Sequence, residues 1–97
     1  MPQVSWLPEA LADIQRLHKF LYEKNPAAAA RAATIILNGT KLLKTNPRIG
    51  RPMPDETDRR ELFMAFGAGA YVLRYKPTEN DLVIIIRIWH SRENRAH

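Results

Sequence analysis

The side chains best suited to chemistry lie in the second half of the chain: Arg74, Arg87, His90, Arg92 and Arg95. A guanidinium is a rigid fork of donors that grips phosphate or carboxylate with two parallel bonds. His90 brings the one side-chain type whose unperturbed pKa suits proton transfer near neutral pH. Such a set can clamp an anionic partner, and His90 could move a proton beside it. Each residue also has a plainer use. Surface arginines are commonly solvated or ion-paired, and an imidazole at a strand end commonly bonds a backbone carbonyl. His18 lies in a helical pattern and His97 is terminal, with no metal-ligand spacing to either. Cysteine is absent, and no Ser/His/Asp set or phosphate-cradling glycine loop is visible. The expectation is a protein with no metal, no cofactor and no small-molecule substrate.

The whole composition points to a macromolecular partner. A chain of 97 residues folds as one domain (1–97) with a modest core, leaving no room for a cleft between lobes. Fifteen Lys and Arg against ten Asp and Glu give a net charge of +5, which steers acidic partners, nucleic acid or an acidic protein segment, toward the molecule. From Ile49 onward seven of the eight basic residues are arginine, the residue of bidentate contacts. Met1 to Pro8 has no basic segment followed by an apolar one, and no apolar run nears the ~18 residues of a membrane span. The expected location is the cytoplasm, away from membranes.

Elements must hold these side chains in place. Gln3 to Trp6 reads as a short opening strand, and Pro8 suits the first turn of a helix because it has no amide hydrogen to leave unbonded. Leu11, Ile14, Leu17 and Leu21 recur at spacings of three and four, with Ala10 and Phe20 beside them, up to a helix end near Lys24. Asn25-Pro26 is a cap followed by a restart. The alanine-rich run behind it predicts a second helix, with Ala29, Ala32, Ile36 and Leu43 on its apolar face, stopping by Asn46-Pro47. So short a connection makes the two helices antiparallel, and the small alanines let their axes approach.

Residues 47–58, with Pro47, Gly50, Pro52, Pro54 and three acids, read as a surface loop. The period then changes to that of strands at Glu61 to Phe66, Tyr71 to Lys76 and Leu82 to Trp89, an antiparallel meander with hairpin-length turns. The fold class is therefore α+β, in the order β-α-α-β-β-β, a twisted antiparallel sheet with the N-terminal helical hairpin on one face. Leu82 to Trp89 is so apolar that it is expected to be covered on both faces. Alternation puts Arg74 with Val72 and Lys76, and Arg87 with Val83, Ile85 and Trp89. An arginine in an apolar strand needs a partner, and Glu61 or Asp81 is the expected one unless it faces a groove. With no second layer to supply a carboxylate, Arg87 is expected to contact a target. Asp13 is assigned to the polar side of its helix. Trp6 and Trp89 are read as core or as cover for the sheet.

Taken in order, the pieces resemble the RelE/ParE superfamily of toxins from toxin–antitoxin pairs. The resemblance rests on Pro8 with Ala12-Asp13-Ile14, Asn25-Pro26-Ala27-Ala28, Leu43, Pro47-Arg48-Ile49-Gly50-Arg51-Pro52, Arg60-Glu61, Tyr71-Val72-Leu73-Arg74-Tyr75 and Ile85-Ile86-Arg87-Ile88-Trp89-His90. It implies a cognate acidic antitoxin as partner. It also implies one of two targets, since RelE-like members cut messenger RNA on the ribosome while ParE-like members act on DNA gyrase. A RelE-like site uses lysines on the first meander strand and arginines on the next two. Here that strand reads Arg60-Glu61-Leu62-Phe63-Met64-Ala65-Phe66, without lysine. The departure favours a ParE-like gyrase inhibitor with Arg74, Arg87, His90, Arg92 and Arg95 facing the target. The alternatives are an endoribonuclease using Arg74, Arg87, His90 and Arg92, and an interaction module of the same fold without toxicity.

Overall fold

The structure, a computed structural model, describes residues 3–93. Along the chain run β1 (Gln3–Trp6), α1 (Pro8–Lys24), α2 (Pro26–Thr45), β2 (Arg51–Pro52), β3 (Arg60–Phe66), β4 (Gly69–Pro77) and β5 (Leu82–His90). Both helices open on the prolines that the sequence marks. Asn25 serves both helices: its backbone N–H donates to Leu21 at the end of α1, and its side chain accepts from the Ala28 N–H at 3.1 Å to cap α2. No helix among the described residues is long and apolar enough to cross a membrane.

The sheet has the order β1-β5-β4-β3-β2. Its centre is the antiparallel meander β3-β4-β5, and β1 adds to one edge by parallel pairing with β5, from Gln3 opposite Leu82 to Trp6 opposite Ile85. At the other edge β2, two residues inside the segment read as loop, pairs with β3. So short a strand has no period to read. Long-range bonds hold it instead: the Gly50 N–H donates to Tyr75 Oη at 2.8 Å, and Arg60 Nη1 donates to the carbonyls of Arg48 and Gly50 at 2.9 and 2.8 Å.

The core lies between the helical hairpin and one face of the sheet. Ala10, Ala32, Ile36 and Leu43 meet Leu73, Tyr75, Val83, Ile85 and Ile88 there. Leu11 and Phe20, read with the apolar stripe of α1, are instead half or more exposed. The stripe is wider than the contact, because α2 and β5 reach only its centre. β5 also differs from expectation: Val83, Ile85 and Ile88 are buried, whereas Ile84 and Ile86 are only partly buried, on a face with no second layer. A bulge explains the step of three from Ile85 to Ile88. Arg74 lies opposite Arg87 but Tyr75 lies opposite Ile85, so Ile86 is the extra residue. Strict alternation fails there, and Arg87 does not share the buried face of Val83 and Ile85.

Candidate functional site

β1 pairs with β5 only as far as Ile85, so the rest of that edge has no strand beside it. Asp13 on α1 fills the gap. Its carboxylate, 2 % exposed, accepts the Ile88 N–H at 3.0 Å, Arg87 Nε and Nη2 at 2.7 and 3.0 Å, and Arg16 Nη1 at 2.7 Å. Arg16 continues outward, donating from Nε and Nη2 to Glu93 at 2.9 and 3.1 Å. Arg87, Asp13, Arg16 and Glu93 thus form a chain of alternating charge from the bulge across α1 to the turn after β5. Burial by itself would raise the Asp13 pKa; the bonds from Arg87, Ile88 and Arg16 outweigh it and hold the carboxyl below its ordinary value.

This geometry corrects two sequence expectations. Asp13 is not on a solvated helix side, and the partner of Arg87 is neither Glu61 nor Asp81 but a carboxylate from the helical layer. The side chain of Arg87 still keeps 40 % of its surface open, so it can touch a further group. Arg74 does pair with Glu61, through Nε and Nη2 at 3.1 and 2.9 Å, and its guanidinium lies 4.9 Å from the centre of the Trp89 ring. Beside this charged row runs an apolar one, Phe63 opposite Val72 opposite Trp89, in which Phe63 is half-exposed. Trp89 accordingly covers the open face, while Trp6 packs against the core.

His90 stands apart from these arginines. Its ring meets Tyr71 edge-on at 5.0 Å between centres, on the helix side of the sheet. Nδ1 accepts the Arg92 N–H at 3.2 Å, so the tautomer with its proton on Nε2 also satisfies the Phe66 carbonyl at 2.9 Å. Both ring nitrogens are thereby occupied by backbone groups. Arg92 is exposed and borders a groove with Phe20, Phe66, Tyr71 and Glu93. Arg95 lies outside the described residues. The sequence set therefore divides: Arg74 and Arg87 are neighbours across β4 and β5, and His90 with Arg92 sits at the strand end. Asp13, Arg16 and Glu93 join them without belonging to the set that the sequence marks. Only the spacing of three between Asp13 and Arg16 marks such a pair locally.

Comparison with known proteins agrees with this architecture. The family model described as ParE toxin of type II toxin-antitoxin system, parDE, matches residues 4–95. Two relatives come from Caulobacter vibrioides. Toxin RelE3 is 38 % identical over 95 residues, 98 % of this chain and 100 % of the relative; Toxin RelE1 is 37 % identical over 86 residues, 89 % of each. A solved structure of the chromosomal ParDE toxin–antitoxin system from P. aeruginosa has the same fold, with a TM-score of 0.73 at 21 % identity over 93 % of this chain and 96 % of that one. With its family model matched over nearly its full length, the chain belongs to the ParE/RelE family of toxins from type II toxin–antitoxin systems.

Proposed function

We propose that this toxin arrests growth in the ParE-like manner, by binding DNA gyrase without catalysis, and that an acidic cognate antitoxin holds it inactive in the cytoplasm. The observation that carries this reading is the engagement of three of the four groups a metal-free nuclease would use, Arg74, Arg87 and His90. Both nitrogens of His90 are bound to backbone, while the guanidinium groups of Arg74 and Arg87 are bound to Glu61 and Asp13. Metal-free phosphodiester cleavage needs a free base, a free acid and cations at one phosphate. β3 adds no lysine to make up the deficit. In this reading Arg74, Arg87, Arg92 and Arg95, with His90 ordering the strand end, face the gyrase surface.

The antitoxin has room along α1. Leu11, Ile14, Leu37 and Thr40 border an apolar groove between α1 and α2, a shape that suits an amphipathic segment, and the chain's net positive charge favours acidic residues on it. The RelE names of the two relatives favour a second reading, a ribosome-dependent endoribonuclease in which Arg74, Arg87, His90 and Arg92 exchange their present partners for RNA. One experiment separates the readings: plasmid topology and messenger RNA integrity are followed side by side after induction without antitoxin. The expected result is growth arrest with relaxed plasmid and intact message. Cleaved message with normal supercoiling would transfer the assignment to the nuclease.

A further inference from the structure

The positive charge of this chain is unevenly placed. From Lys24 to Pro54 there are six cationic residues, Lys24, Arg31, Lys41, Lys44, Arg48 and Arg51, and no Asp or Glu. The remainder of the chain is close to neutral, so this segment carries the net charge. Four of the six, Lys41, Lys44, Arg48 and Arg51, follow one another from the last turns of α2 to β2, and all four are exposed. Lys41 and Lys44, three residues apart, share one side of the helix. Among the described residues no carboxylate forms an ion pair with any of the four. Complementing the carbonyl end of α2 accounts for Lys44 in the last turn, but Arg48 and Arg51 lie beyond its reach.

The backbone under these charges is held firmly for a surface segment. Gly50, between the two arginines, is buried and donates to Tyr75 Oη, and Arg60 fastens the carbonyls of Arg48 and Gly50. Arg51 begins β2 and is paired to β3. The backbone that carries Arg48 and Arg51 is thus already ordered, and only side-chain freedom is lost when they meet a row of anions. Of the acids in the following turn, Asp55 is bound to Arg59 and Thr57. A polyphosphate backbone suits such a row because each phosphate needs only one exposed cation, whatever the sequence.

We infer that Lys41, Lys44, Arg48 and Arg51 form a binding surface for the phosphate backbone of duplex DNA, distinct from the groups around Asp13 and His90. Binding through it is independent of sequence and depends steeply on salt. Fluorescence anisotropy of the full chain with a labelled duplex of arbitrary sequence, over about 50 to 200 mM salt, tests this directly. Four phosphate contacts give a slope of about −3.6 in log K against log salt, and Lys44→Gln makes it shallower by about 0.9. Replacing all four residues by Gln abolishes binding, while Lys19→Gln, which removes an exposed charge on α1, leaves the slope unchanged. Circular dichroism melting checks that the variants are folded. Undiminished binding by the folded quadruple variant would overturn the inference, as would wild-type protein that binds a glutamate-rich peptide through these residues but not the duplex.

Discussion

Asp13 accepts four hydrogen bonds at a buried position, two of them from Arg87, so loss of that guanidinium leaves the carboxylate with Arg16 and the Ile88 N–H alone. Arg87→Met should therefore destabilise the protein by about 1–3 kcal/mol in chemical denaturation, and adding Asp13→Asn should recover part of that loss. Equal stability of Arg87→Met and wild type would contradict this account of the pair. The sign of the pH dependence follows from the lowered Asp13 pKa. A carboxyl held below its unfolded value stabilises the fold above that value, and the contribution is lost as pH falls through the folded one. Melting temperature should thus fall faster below about pH 4 in wild type than in Asp13→Asn; parallel curves would exclude Asp13 as the cause. For His90 the expected outcome of His90→Gln is retained growth arrest, since glutamine can still donate to the Phe66 carbonyl but cannot shuttle a proton near neutral pH. A catalytic His90 would instead lose roughly 10²–10⁴-fold in rate, and arrest with it. Of these residues the sequence made His90 legible, as a strand-end imidazole on a carbonyl. It hid the Asp13–Arg87 pair, because the partners are 74 positions apart and the bulge breaks the alternation that would have oriented Arg87.

At the level of elements, what could be read depended on whether local chemistry fixed the outcome. Pro8, Asn25 and Pro26 announce helix ends by backbone rules that need no tertiary partner, and the meander follows from period and turn residues. β2 could not be read in this way, being two residues fixed by contacts from elsewhere. Its anchor can be tested. Tyr75→Phe removes the acceptor of the buried Gly50 N–H and should cost about 1–3 kcal/mol in denaturant unfolding. Gly50→Ala should cost more, because a Cβ there would stand 2.5 Å from Tyr75 Oη and 2.7 Å from its ring, inside a packed core with no flexible neighbour to yield. Wild-type stability in Tyr75→Phe would mean that pairing of β2 with β3 suffices without the phenol.

For the molecule as a whole, fold and family were legible because the ordered set of motifs spans nearly the entire chain, and the family model matches over the same span. The target was less legible for a physical reason: the motifs that carry the resemblance are mostly those that shape the fold, and they do not fix which side chains meet a target. Here β3 lacks lysine, and Arg74, Arg87 and His90 are engaged with protein groups, which is what supports the proposed occupation of a protein target. The most direct measurement uses purified DNA gyrase, relaxed plasmid and ATP, with the toxin added in increasing amounts. Dose-dependent loss of supercoiling is expected, unchanged by His90→Gln and relieved by the cognate antitoxin; full supercoiling at saturating toxin, with messenger RNA cut in a ribosome assay by the same preparation, would contradict the gyrase reading.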